Sequence, residues 1–238
     1  MLYSIISSGD IKIAIIQILL TVPIVLFALS CHEAAHAYAA YKMGDRTAFN
    51  LGRMTINPAK HLDLIGTLCM IVFGFGWAKP VPINARNFDN PKKGMAITGI
   101  AGPLANLILG IISTFLSTLT VFIATKVLFG ADITEFTANL FYIIYSFFNL
   151  SAMYNFVFMV YNLIPVPPFD GSRFVTAFLP AKWYFKLMQY ERYYFIIILV
   201  ISIILSRVFG VYLTSFIAEK IMTLVAYPFE LLFFKLLL

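Results

Sequence analysis

The segment Ser30-Cys31-His32-Glu33-Ala34-Ala35-His36 brings two imidazoles and a carboxylate together in a run of apolar residues. On a helix, residues i and i+4 lie one above the other on the same face, so His32 and His36 can hold one ion between them. Glu33 falls on the neighbouring flank. From there its carboxylate reaches a water at the metal without becoming a ligand, which is the general-base position of metal-assisted hydrolysis. An ionisable side chain near a bilayer centre costs about 2.5 to 3.5 kcal/mol on insertion scales, so such residues mark functional sites by default. An accidental match is the competing explanation, but the chain has only three histidines, and an accident on a soluble helix would not be set in lipid-compatible sequence.

A catalytic zinc takes three protein ligands and keeps a fourth position open, so the pair needs a partner. Asp170, His61, Asp63 and Glu219 are the candidates. Asp170 is favoured because Pro165, Pro167 and Pro168 break the preceding helix and free the backbone to turn a carboxylate back into the membrane. Its competing role is to cap a short helix over Gly171–Leu179. Asn106 suits either an interhelical hydrogen bond or a direct role in holding substrate or a developing oxyanion. His61 is expected to be a satisfied loop histidine and Lys79 an interfacial cation that snorkels to head groups. Cys31 and Cys69 provide no disulfide framework and are expected to be small buried apolar residues.

The elements that must position these residues follow from composition. Of 238 residues, 61% are hydrophobic and 12% charged, with a mean hydropathy of +0.89. These values exclude an ordinary soluble domain. The expected fold is an all-α polytopic membrane protein of about five to six transmembrane helices, with a re-entrant segment and a short β-hairpin near the active site. No repeat or linker divides it, so residues 1–238 are expected to form a single domain. The amino-terminal stretch lacks a basic region and a small-residue cleavage site, so it is expected to be retained.

The first helix is expected over Ile11–Met43, about 48 Å at 1.5 Å per residue, and Lys42 with Gly44 marks its stop. His36 and His32 then lie roughly 12 and 18 Å inside that end. Alternation of Thr47, Phe49, Leu51 and Thr55 suggests the hairpin over Asp45–Asn57, which could offer a strand edge to an unwound substrate. Leu64–Trp77 is too short to span and is expected to be re-entrant or interfacial. Ala78–Asn84 is a stiff extended piece. A second helix over Gly94–Val127 carries Gly99, Ala101, Gly102, Ala105 and Gly110, a small-residue surface suited to close packing on the alanines of the first helix. That packing would bring Asn106 to the metal region. Further helices are expected over Ala138–Leu163, Tyr190–Phe209 and Tyr212 to the end, the last interrupted near Pro228.

Orientation follows from the lysines and arginines of short loops. The Lys42–Lys93 and Arg173–Arg192 regions are basic, whereas Lys126–Glu135 has one base and two acids. Both basic regions are expected on the cytoplasmic side, together with His32, His36, Asn106 and Asp170. The net charge of +6 is accounted for by this bias and by anionic lipid, so no nucleic-acid partner is expected.

These residues carry a resemblance. His32-Glu33-Ala34-Ala35-His36 and Asn162-Leu163-Ile164-Pro165-Val166-Pro167-Pro168-Phe169-Asp170-Gly171 resemble the HExxH helix and the N-x-x-P-x-P-x-x-D-G segment of the site-2 protease family of intramembrane metalloproteases. Gly102-Pro103-Leu104-Ala105-Asn106 resembles its G-P-x-x-N element, and Asn57–His61 with Gly76–Pro82 is similar to loop motifs of its compact members. The resemblance implies that His32, His36 and Asp170 ligate one zinc ion and that Glu33 activates water. It also implies a transmembrane protein substrate cut within the lipid bilayer of a prokaryotic cell membrane. The chain has no room for the PDZ or nucleotide-binding regulatory domains of many relatives, so any regulator is expected to be another membrane protein. A zinc transporter would need transport-site carboxylates on several helices. An inactive scaffold of the same fold would have lost Glu33 or a ligand, and all are present.

Overall fold

The computed structural model describes residues 11–73, 78–128, 134–180 and 213–236, with single residues and short runs between 183 and 204. Seven helices are labelled among them: α1 (Ile11–Lys42), α2 (Thr47–Asn50), α3 (Leu64–Phe73), α4 (Pro91–Leu128), α5 (Glu135–Asn162), α6 (Asp170–Thr176) and α7 (Leu213–Lys235). Among the described residues, three helices are long and apolar enough to cross a membrane: Ile15–Lys42, Pro91–Val127 and Glu135–Asn162. The other expected spans are not borne out by this count. The helix expected over Tyr190–Phe209 falls largely outside the described residues, and α7 runs through Pro228 without the expected interruption. The ten-residue α3 is too short to span, and residues 74–77 of the expected re-entrant segment are outside the described set.

Helix α4 is the central element, packing on α1, α5, α6 and α7. Its residues 98, 102, 106, 110 and 114 recur every fourth position and so form one face. Thr98, Asn106 and Thr114 on that face are buried, while Ile97, Leu104, Ile108 and Ile112 elsewhere on the helix are exposed. This is the membrane pattern, in which lipid accepts the apolar side chains and helix contacts use small or hydrogen-bonded ones. Ala152, Phe156 and Met159 of α5 close a core with Ala218 of α7, against Leu107 and Ile111 of α4.

The expected hairpin over Asp45–Asn57 is not present: these residues form the single turn α2 and a loop, with Gly52 at φ 64°. Alternation signals a strand when one face is buried, but Phe49 and Leu51 are both exposed and the buried apolar residue is Ala48, just before them. Asp45 decides the outcome locally. Its Oδ1 accepts from the N–H and the hydroxyl of Thr47, starting a helical turn.

Extended chain lies instead at Ala78–Asn84, and four contacts fix it. Lys79 N–H donates to His61 O (2.8 Å), beside an isolated antiparallel bridge between Leu62 and Ala78. Arg53 Nη2 donates to Lys79 O (2.6 Å), Val81 N–H to Glu33 Oε2 (2.7 Å) and Asn84 N–H to Asp45 Oδ2 (2.7 Å). Asn87 Nδ2 adds a second bond to Asp45 (2.8 Å).

Burial opposes the charge of Asp45, yet the hydrogen bonds from Thr47, Asn84 and Asn87 outweigh it and hold its carboxyl below the usual carboxylate value. A depressed folded-state value gives stability that is present above the unfolded value of about 3.9 and lost as pH falls through the folded one. Asp45→Asn should therefore cost about 1 to 3 kcal/mol near neutral pH. Thermal unfolding in detergent should show the gap to wild type narrowing below about pH 4.

Candidate metal centre

His32 and His36 face α4 and α6 from one side of α1, as the i, i+4 spacing requires. Asp170 is the first residue of α6, and Phe169 rather than Asp170 is the N-cap residue, with no side-chain capping bond. The alternative capping role for Asp170 is thus not taken up. Its carboxylate reaches α1, where Oδ2 lies 2.9 Å from His32 Nε2 and 3.0 Å from His36 Nε2, the two nitrogens being 3.0 Å apart. All three residues are buried. Among the described residues they are the one group of three or more His, Cys, Asp or Glu placed to hold a metal ion.

The distal ring nitrogens show which form of each imidazole the fold selects. His36 Nδ1 lies 2.6 Å from Thr98 O, a carbonyl that can only accept, so Nδ1 carries a proton and, in the neutral ring, Nε2 presents a lone pair. For His32 the assignment passes through two amides. Asn155 Nδ2 donates to Ser151 O (2.8 Å), which turns Asn155 Oδ1 towards Asn106 Nδ2 (2.9 Å). Asn106 Nδ2 also faces Ala28 O (3.4 Å), leaving Asn106 Oδ1 to accept from His32 Nδ1 at 2.6 Å. In the neutral rings both Nε2 atoms therefore direct lone pairs at the carboxylate oxygen. Three acceptors within about 3 Å repel one another unless a cation joins them, so the donor set fits a metal ion.

Space is provided by glycine. A Cβ at Gly102 would stand 2.4 Å from His36 Nε2 and 2.6 Å from His32 Nε2, inside the region these atoms surround. A Cβ at Gly171 would meet Leu163 O at 2.4 Å, so glycine is what lets α6 fold back tightly on the end of α5. The proline-rich turn before it contains a cis peptide between Pro167 and Pro168.

The other residues singled out in the sequence fall elsewhere. His61 Nε2 bonds Thr55 O (2.7 Å), Asp63 Oδ1 accepts from Gly66 N–H at the start of α3, and Glu219 lies on α7. Lys79 is exposed, as expected of an interfacial cation. Cys31 is half-buried and outside the group, and the Cys69 side chain is outside the described residues. Asn155 was not anticipated. The signal was available, because an asparagine in an apolar span is itself an intramembrane polar residue seeking a partner. Val81 and Thr98 act through backbone atoms, which leave no mark in a sequence.

Glu33, next to His32 with its carboxylate held by Val81, completes the arrangement of an HExxH metallopeptidase set among membrane helices. The chain belongs to Peptidase family M50, whose profile matches residues 20–206. YwhC of Bacillus subtilis (strain 168), whose name carries an inferred zinc metalloprotease activity, is 41% identical over 178 residues, covering 75% of this chain and 77% of YwhC. Rip2 of Mycolicibacterium smegmatis (strain ATCC 700084 / mc(2)155), named in the same way, is 25% identical over 183 residues, covering 75% of this chain and 64% of Rip2. No solved structure matches the chain.

Two substitutions separate metal space from helix packing. Gly102→Ala should lower zinc affinity at least about tenfold, measured by chelator competition. Gly110→Ala, whose Cβ would press on Phe156 instead, should lower thermal stability with zinc affinity unchanged. Asn155→Leu frees the Asn106 amide to turn and should weaken zinc binding by about 10- to 100-fold, whereas Asn155→Asp keeps an acceptor for Asn106 and should weaken it less.

Proposed function

We propose that this protein is a zinc-dependent endopeptidase that hydrolyses peptide bonds within transmembrane segments of membrane proteins. The observation that carries the reading is the convergence of His32 Nε2, His36 Nε2 and Asp170 Oδ2, with the histidines and Glu33 on a helix long and apolar enough to cross a membrane. His32, His36 and Asp170 would hold the zinc. Bound there, zinc supplies Lewis acidity that acidifies a water and polarises a peptide carbonyl.

The chain's own groups do the rest. Val81 N–H occupies Glu33 Oε2 and leaves Oε1 to take a proton from the attacking water as its oxygen bonds to the carbonyl carbon. Glu33 then returns that proton to the nitrogen of the leaving peptide as the C–N bond breaks. Pro80 and Pro82 have no N–H, so Val81 is the donor that this part of the extended Ala78–Asn84 chain offers. Asn106 has both amide ends engaged by the protein, which favours positioning of His32 over contact with an oxyanion.

The site belongs to the half of the protein that carries Lys42, Arg46, Arg86, Lys92, Lys93 and Arg173, which supports access from the cytoplasmic side of a bacterial membrane. Substrates are membrane proteins with a transmembrane segment that can unwind near that face.

Purified protein loaded with zinc, incubated with a panel of transmembrane substrates, should yield cuts inside the spanning segments by mass spectrometry. Glu33→Gln should retain zinc and lose about 10²- to 10⁴-fold in rate. A zinc-loaded wild type that leaves the whole panel intact would contradict the peptidase reading. Activity of Glu33→Gln within about threefold of wild type would remove Glu33 as the base.

A further inference from the structure

A small cavity of about 10 Å³, room for one water-sized group, lies between α1 and the chain from Pro58 to Ala78. Leu26, Leu29 and Ser30 line it from α1. These residues share a helix face with Glu33, and Ser30 precedes Glu33 by about 4.5 Å along the axis. Ala78 forms part of its wall, three residues before the Val81 that holds the base.

Among the described residues, the side-chain polar groups that line this cavity all present acceptors. His61, 2% exposed, donates through Nε2 to Thr55 O, so in the neutral ring Nδ1 carries a lone pair, and this buried atom has no partner in the protein. The Ser30 hydroxyl proton goes to Leu26 O (2.6 Å) and the Thr67 hydroxyl proton to Asp63 O (2.7 Å). Each of those oxygens keeps only lone pairs for an occupant. A cavity of this size with apolar walls and these three side-chain acceptors is complementary to a single small O–H group.

The geometry points to a substrate subsite that takes one serine or threonine side chain of the unwound segment, read by His61 Nδ1, next to the base that cuts it. This assignment rests on the peptidase reading. A hydroxyl donated by the substrate satisfies the buried His61 acceptor at the moment of binding, and an alanine or valine leaves it unpaired. The same chemistry would also accommodate a resident water, and the substrate panel distinguishes the two.

The test places Ser, Thr, Ala and Val in turn at each position around the mapped cleavage point of one transmembrane substrate. At one fixed position Ser and Thr should exceed Ala and Val by about tenfold or more in kcat/KM. His61→Gln keeps a donor for Thr55 O and removes the Nδ1 acceptor, so that ratio should fall to within about twofold with zinc content unchanged. If His61→Gln does not fold, Thr67→Val should lower the ratio in the same direction. Cleavage without any hydroxyl preference, as a resident water would give, overturns the subsite and leaves the peptidase standing. So does a preference that survives unchanged in folded His61→Gln. Absence of cleavage from every substrate by zinc-loaded wild type overturns the peptidase reading and the subsite with it.

Discussion

The structure depends on a repulsion that a cation resolves. His32 and His36 direct Nε2 lone pairs at Asp170 Oδ2, all within 3.0 Å, in a buried place where water cannot screen them. Neither neutral ring can relieve the conflict by changing tautomer, because each Nδ1–H is committed to an acceptor on α4. The fold therefore holds three acceptors in a geometry that favours a bound cation. This is a costly arrangement for a membrane interior, and it gains its stability from the ion that completes it.

Most of the surrounding architecture serves that arrangement. One face of α4 supplies the Thr98 carbonyl, the open space at Gly102 and the Asn106 amide at successive turns, so a single helix sets both imidazole orientations. Asn155 on α5 extends the network by one step and ties a third helix to the site. Beside the metal helix, Ala78–Asn84 is fastened to Arg53, Asp45 and Glu33, which precede their partners by 26, 39 and 48 residues. Metal ligands and base are thus supported by separate parts of the chain.

Much of this was legible in the sequence, for identifiable reasons. The membrane spans α1, α4 and α5 are long apolar runs with clear stops. The i, i+4 histidines declare a shared helix face, and the proline cluster before Asp170 signals a helix broken in order to turn back. What failed was short-range. The alternation of Phe49 and Leu51 resembles a strand, but both side chains are exposed and Asp45 captures Thr47 into a helical turn. The role of Asn106 stayed open because its partners, His32 and Asn155, lie 74 and 49 residues away. Contacts made through backbone atoms, such as Val81 on Glu33, belong to the tertiary fold and have no residue type to announce them.

Zinc K-edge X-ray absorption on the purified protein tests the central claim most directly. Two imidazole nitrogens with oxygen neighbours, all at about 2.0 to 2.2 Å, are the expected result, and replacing Asp170 with alanine should remove an oxygen without introducing sulfur. A sulfur neighbour at about 2.3 Å would place Cys31 or Cys69 in the site. Such a spectrum, or a folded protein that takes up no zinc, would contradict the account.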